Sequence, residues 1–174
     1  VFYIPHCNGL VEKEDGKFVY DIADLDGDGK VDLSDSGDRY IAGQALPKVY
    51  MGGFVNMRYK DFDLAVQLNR AFGHKIYNGT SLTFNNLSLY PTYNILDGAL
   101  DKRIYDIKIS DYYLENGNYV NIEYITLGYN IPVKKLKIEK YLKSLRLAFS
   151  VNNVATITGY SGMTPLINSA NVAS

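Results

Sequence analysis

Lys48-Val49-Tyr50-Met51-Gly52-Gly53-Phe54-Val55-Asn56-Met57-Arg58-Tyr59, then Lys60-Asp61, then Phe62-Asp63-Leu64-Ala65-Val66-Gln67-Leu68-Asn69-Arg70, is the stretch that decides the fold. In the first run Val49, Met51, Gly53, Val55, Met57 and Tyr59 share one side, and Tyr50, Gly52, Phe54, Asn56 and Arg58 the other. In the second run Phe62, Leu64, Val66 and Leu68 oppose Asp63, Ala65, Gln67 and Asn69. A period of two belongs to a β-strand, whose successive side chains point to opposite faces of a sheet. Two long runs around so short a connection predict an antiparallel hairpin with strands near 48–59 and 62–70. The turn carries neither Asn-Gly nor Asp-Gly, so its type stays open.

Alternation returns in Ile125-Thr126-Leu127-Gly128-Tyr129-Asn130-Ile131, where Pro132 closes the run. This predicts a strand near 119–131 with a less regular start around Tyr119. Leu145, Leu147, Phe149 and Val151 oppose Arg146, Ala148, Ser150 and Asn152, a fourth strand near 144–154. Between them Lys134, Lys135, Lys137, Lys140 and Lys143 read as a solvated turn, with room for one helical turn over Ile138–Leu142. Residues 1–47, 71–118 and 155–174 lose the pattern and read as loop. The middle one is long for a structureless connection, so it is either a functional loop or hides short strands, Tyr105–Ile109 among them.

A soluble antiparallel sheet also alternates, with its apolar face in a core. Three features favour a membrane face instead. The runs are ~9–12 residues long, nearer a membrane-spanning strand than an ordinary one. Short connections (60–61, 132–143) alternate with long ones, as periplasmic turns alternate with outer loops in transmembrane barrels. Tyr50, Tyr59, Phe62, Tyr119 and Tyr129 gather near strand ends, where aromatic girdles belong. Four strands cannot close a barrel, and open edges are not tolerated in lipid, so on this reading the chain is one arc of a larger barrel.

Composition agrees without deciding. With 174 residues the chain is long enough for one domain with a sizeable core. A formal net charge of -1 points to no nucleic-acid partner. Tyrosine supplies 16 residues against no tryptophan, and its apolar ring with a polar tip suits wet boundaries. Cys7 is the single cysteine, so no internal disulfide forms. No helical run of ~18 or more apolar residues is present. Val1-Phe2-Tyr3-Ile4-Pro5-His6 has neither a basic start nor an apolar core of a signal peptide, so the chain is expected to be a segment whose targeting information lies elsewhere.

Asp24-Leu25-Asp26-Gly27-Asp28-Gly29-Lys30-Val31-Asp32-Leu33-Ser34-Asp35 has the ligand spacing of a twelve-residue calcium loop. Asp24, Asp26 and Asp28 are expected to give side-chain oxygens and Lys30 its carbonyl, with Asp32 acting directly or through water. Gly29 sits at the sharp turn. Position twelve is Asp35 rather than Glu, which weakens bidentate binding and makes Mg²⁺ an alternative to Ca²⁺. No flanking pair of helices is evident, so the expected role is structural: to stiffen a loop. Carboxylates this close repel one another unless a cation lies among them.

With the strands placed, the ordered blocks Asp24–Asp32, Tyr59-Lys60-Asp61-Phe62-Asp63-Leu64, Asn118-Tyr119-Val120-Asn121-Ile122, Ile125–Pro132 and Leu145–Asn153 resemble the C-terminal part of SusC/RagA-like TonB-dependent transporters of the Bacteroidetes outer membrane. The resemblance runs over roughly residues 20–165. It rests on the order of the blocks, none being specific alone. It implies an all-β fold, the C-terminal arc of a large, about 22-stranded and plugged barrel with long extracellular loops. It also implies import of glycans (oligosaccharides) or peptides, energised by TonB, under a SusD/RagB-like surface lipoprotein lid. The plug, the TonB-contacting N-terminal part, most of the barrel and the closing strand are expected outside residues 1–174. With short turns periplasmic, Val49, Val55, Met57, Leu64, Val66, Leu127, Leu147 and Phe149 are expected to face outer-membrane lipid. Asn56, Arg58, Gln67, Asn69, Arg146 and Asn152 are expected to face the lumen.

Other motifs carry less. His6 and His74 stand apart from any Ser, Cys or carboxylate set in sequence, and no catalytic constellation is evident, so no enzyme is expected. Asn78-Gly79-Thr80 and Asn86-Leu87-Ser88 match glycosylation sequons by chance. Tyr90-Pro91-Thr92-Tyr93 reads as loop packing, with sugar stacking as the sharper alternative. The competing reading of the whole chain is a secreted β-rich binding or adhesion module with a calcium-stapled loop.

Overall fold

A computed structural model describes residues 1–35, 37–138 and 140–166. The strands are β1 (Phe2–Ile4), β2 (Cys7–Glu12), β3 (Phe18–Ile22), β4 (Tyr40–Gly43), β5 (Val49–Tyr59), β6 (Phe62–Phe72), β7 (Lys75–Tyr77), β8 (Leu114–Asn116), β9 (Tyr119–Ile131) and β10 (Leu145–Thr158). Short helices α1 (Gly79–Phe84) and α2 (Ala99–Lys102) lie between β7 and β8. The chain divides into two compact units. Among the described residues, one is Lys48–Phe72 with Asn118–Gly159; the other holds Val1–Pro47, Gly73–Gly117 and residues 160–166.

The first unit is a single antiparallel sheet in the order β10-β9-β6-β5. The four long strands are those the alternation predicts. β6 runs two residues further than expected, to Phe72, and β10 reaches Thr158 within a stretch expected to be loop. The register sorts the side chains into rows. Met57, Leu64, Leu127 and Phe149 lie in one row, and Val55, Val66, Ile125 and Val151 in another. Between these rows, on the opposite face, run Asn56, Ala65, Thr126 and Ser150. Val66 and Gln67 therefore take the faces expected of them. Among the described residues no second layer covers the apolar face: Met57 is 55% exposed, Leu147 60% and Phe149 70%.

The hairpin turn is Lys60-Asp61, with Lys60 in the left-handed region at φ 55°. Positive φ in a two-residue turn matches the twist of the flanking strands. The irregular start of β9 is a bulge. Tyr124 pairs with Gln67 and Ile122 with Leu68, which leaves Glu123 as an extra residue. The bulge shifts the alternation by one, so that Val120 and Ile122 join the same face as Ile125 and Leu127. β10 has its own irregularity at this level, between Asn152 and Ala155, where Asn153 adopts φ 51°.

The aromatic residues divide between the faces. Tyr59, Phe62 and Tyr129 occupy one row of the apolar face at the turn end, with the Phe62 and Tyr129 rings 4.6 Å apart. Tyr50 and Tyr119, expected in the same kind of girdle, lie on the polar face instead. They sit either side of fully buried Ala71, whose small side chain lets the hydroxyls meet at 3.3 Å. Arg70 falls on the apolar face near its far end, with its guanidinium 3.7 Å from the centre of the Phe72 ring.

The second unit corrects the expectation of plain loop. β1 pairs with β4, β2 with β3, and β7 with β8, each antiparallel. Its core joins Tyr20, Ile22, Leu82, Ile104 and Tyr113. Tyr20 and Tyr113 share a hydroxyl–hydroxyl hydrogen bond of 2.6 Å. Tyr105–Ile109 forms no strand. Where one helical turn is expected over Ile138–Leu142, no helix is present among the described residues; Tyr141 and Leu142 donate to the Ile138 carbonyl in a turn, and Glu139 lies outside the described residues. Residues 167–174, read as loop, also lie outside them.

On the polar face Arg146 bonds Asp63 through Nε (3.2 Å) and Nη2 (2.5 Å), reaching from β10 to β6 across β9. The strand position crossed is Gly128, where a Cβ would collide with both charged groups. Gly128→Val should therefore force the Asp63–Arg146 pair apart and leave the full-length protein less stable than a valine placed where there is room. Gly53→Val is the control, since a Cβ there meets nothing within 4 Å. Urea unfolding followed by heat-modified gel mobility checks the pair, and equal stability of the two variants contradicts the account.

Candidate functional site

The acidic loop is built from side-chain-to-backbone hydrogen bonds. Asp24 accepts from the N–H groups of Gly27 (2.7 Å) and Gly29 (2.8 Å), Asp26 from Asp28 (3.1 Å), and Asp28 from Lys30 (2.8 Å). Each Asp thus closes a local turn of the kind short acidic side chains favour. Gly27 and Gly29 both have positive φ, 77° and 83°, which the winding requires. The winding gathers Asp24, Asp26 and Asp28, with one oxygen of each within 4.8 Å of the others. Crowding shows in the titration of Asp26. The Asp28 N–H pulls its carboxyl down, but burial and the neighbouring carboxylates of Asp28, Asp38 and Asp24 push it above the usual range.

The later positions are engaged elsewhere. Asp32 accepts from the Ser34 N–H (2.8 Å) and hydroxyl (2.9 Å), and these bonds lower its pKa. Asp35 pairs with Arg39 at 3.0 Å, and its side chain is 94% exposed. Lys30 gives its N–H to Asp28. Of the expected ligand residues, the structure gathers the carboxylates of Asp24, Asp26 and Asp28, while those of Asp32 and Asp35 have other partners.

Nothing in the spacing marks Asp38, which holds the loop shut. It is buried and accepts from the N–H groups of Leu25 (2.5 Å), Asp26 (3.3 Å) and Asp32 (2.8 Å). The bonds from Asp32 and Leu25 keep its carboxyl below the ordinary range against the opposing effect of burial. A second junction also lies beyond sequence spacing. His6, expected to stand alone, contacts Asp111 through Nδ1 at 2.6 Å. Asp111 also accepts from the Tyr40 hydroxyl (2.6 Å) and the Cys7 N–H (2.7 Å). Burial pushes Asp111 up, and the bonds from Tyr40, His6 and Cys7 together bring it below the usual value. The Cys7 thiol donates to the Gly9 carbonyl and burial raises its pKa, the reverse of an activated nucleophile. The two sequons prove to be capping positions. Asn78 and Asn86 are buried and accept from the N–H groups of Ser81 and Ser88.

In the sheet, the polar face forms a wall of paired groups. The Glu123 carboxylate, displaced by the bulge, accepts 2.6 Å bonds from the side-chain amides of Gln67 and Asn69. Asn121 accepts from the Thr156 hydroxyl, and Thr126 meets Ser150. Asn130 reaches Asp63 beside the Arg146 pair. This face carries fixed hydrogen-bonding groups; the other is apolar and exposed.

The chain is similar in sequence and fold to known proteins. TonB-dependent receptor P3 of Formosa agariphila is 30% identical over 158 residues, covering 86% of this chain and 15% of that protein. TonB-dependent receptor SusC of Bacteroides thetaiotaomicron is 29% identical over 170 residues, covering 91% of this chain and 16% of that protein. The fold matches the RagAB peptide importer in its open-open state with a TM-score of 0.74 at 18% identity, over 94% of this chain and 19% of that chain. The closed-closed state gives 0.71 at 16% identity, over 94% and 20%. No family model matches the chain. It spans 15–16% of the length of these curated relatives. Sheet, faces and likenesses together define a piece of a TonB-dependent barrel protein. Together these relatives support the chain being a fragment of a SusC/RagA-like TonB-dependent transporter.

Asp38→Asn should open the acidic loop, because an amide cannot accept on both sides. In the full-length protein, cleavage between Asp24 and Asp38 by added protease should rise several-fold at neutral pH. Because the folded-state pKa is depressed, the contribution of Asp38 is complete above its free value of ~3.9 and is lost as pH falls through the lower folded value. The wild-type loop should gain the same sensitivity, to an acid protease, only in that acidic window.

Proposed function

We propose that these residues form part of the wall of an outer-membrane importer energised by TonB, which takes up oligosaccharides or peptides beneath a SusD/RagB-like surface lipoprotein. The observation that carries the reading is the exposed apolar face of the sheet, backed by a hydrogen-bonded polar face. A secreted module would need that apolar face covered by a packed layer of its own. In a barrel, lipid covers it, and β5 and β10 pair with further strands. The lumen-facing wall then presents Arg58, Asp63, Glu123 and Arg146 to whatever fills or crosses the barrel. With the short turns periplasmic, the acidic loop and the 71–118 segment lie at the cell surface. TonB contact belongs to the N-terminal part of the longer protein.

Within this reading the acidic loop holds a structural Ca²⁺, with Mg²⁺ as the alternative. Asp24, Asp26 and Asp28 fit such an ion, being gathered and mutually repelling. Lys30 offers a carbonyl, and Asp32 and Asp35 would join only by leaving Ser34 and Arg39. The ion would neutralise the crowding and stiffen the loop. Calorimetry of the full-length protein with CaCl₂ should show saturable binding that Asp26→Asn weakens at least tenfold, and no binding of either cation contradicts the site.

The membrane assignment is tested by neighbouring arginines. Val66→Arg places a cation against hydrocarbon at a cost of ~2–4 kcal/mol and should deplete the protein from outer-membrane fractions. Gln67→Arg, one residue along and beside Glu123, should assemble normally. Equal loss in both, or loss in Gln67→Arg alone, contradicts the assignment.

A further inference from the structure

Residues Tyr105–Ile109 are built inside out. Tyr105, Ile107 and Ile109 are 41%, 48% and 61% exposed, whereas Asp106 and Lys108 between them are half-buried and pair with each other at 3.6 Å. The segment is strung between two fully buried residues, Ile104 and Ser110. Ile104 is tied on both sides, by bridges to Phe18 and Asn86. The Tyr105 N–H donates to the Phe18 carbonyl, and the Asp111 N–H to the Pro5 carbonyl. Between those two bonds the main chain of Asp106–Ile109 makes no hydrogen bond among the described residues. Exposure thus alternates with the period of a strand along a backbone with no ladder partner. An open edge with apolar side chains is a template for another strand, and folded proteins cover such edges.

We infer that Asp106–Ile109 receives a β-strand from another part of the same longer polypeptide, with Ile107 and Ile109 covered by its apolar side chains. The inference rests on the transporter reading above. Two observations favour an occupant in the same chain over a separate protein. The chain spans 15–16% of the length of its curated relatives, so most of such a polypeptide is available to supply the strand at high effective concentration. The charges of the segment are also spent on each other, Asp106 on Lys108, which leaves no net charge to steer an outside partner. The backbone supplies the affinity and the alternate side chains the register, as in strand addition generally.

Hydrogen exchange of the full-length transporter in detergent, read at single-amide resolution and without any lipoprotein, tests this. The amides of Asp106–Ile109 should exchange at least 100-fold more slowly than an unstructured chain, and Ile107→Asp should lower that protection at least tenfold without changing the amides of β9. Exchange at the unstructured rate overturns the inference, as does protection that emerges only when the co-purified lipoprotein is added back. The open-edge amides of β5 and β10 separate the two levels of the account. If they are protected while Asp106–Ile109 is not, the barrel stands and the inference alone fails. If they are unprotected as well, the barrel reading fails and takes the inference with it.

Discussion

An N–H or C=O group that faces hydrocarbon without a partner costs several kcal/mol, so every strand in a membrane must be laddered on both sides. That constraint governs the sheet of this chain. It accounts for the length of β5, β6, β9 and β10, which run 11 to 14 residues. On the proposed reading the two outer strands of the sheet, β5 and β10, are joints with further strands. Lipid, on that same reading, meets one face and an aqueous lumen the other; the register carries the division between apolar and polar faces from row to row across all four strands.

The polar face shows what the division demands locally. Charged groups on a barrel interior keep their partners within the wall, as Asp63 and Arg146 do across Gly128, and as Glu123 does with Gln67 and Asn69. Each arrangement depends on a backbone feature. The first requires the missing side chain of Gly128, which lets two charges meet over an intervening strand. The second requires the bulge, which turns Glu123 toward the amides and returns Val120 and Ile122 to the apolar side.

The four long strands were legible because one constraint repeats at every second residue, and no local interaction competes with it. The bulge was visible only as irregularity near Tyr119, since two successive polar-side residues, Glu123 and Tyr124, look like noise in an alternating run. Tyr50 and Tyr119 misled because aromatic residues at strand ends satisfy either face. The side of Tyr50 follows from the alternation of β5 alone, whereas that of Tyr119 depends on the bulge in β9. The short strands of the other unit escaped for a different reason. β1, β4, β7 and β8 have three or four residues each, too few for any period to stand out. In the acidic loop, local spacing correctly grouped Asp24, Asp26 and Asp28, which lie within one winding of the chain. Spacing could not foresee that Asp35 would turn to Arg39, or that Asp38 would close the loop by taking three backbone N–H groups. His6 and Asp111 are 105 positions apart, and only folding brings them together.

The central claim is that the apolar side of the sheet faces hydrocarbon. Spin labels placed singly at Leu147→Cys, Phe149→Cys, Ser150→Cys and Asn152→Cys in the full-length protein, reconstituted in lipid, test it through collisions with oxygen and with a water-soluble nickel chelate. The account predicts that labels at 147 and 149 collide strongly with oxygen and weakly with nickel, and that labels at 150 and 152 show the opposite. Equal access of nickel to both sets, or shielding of 147 and 149 from both reagents, would contradict it.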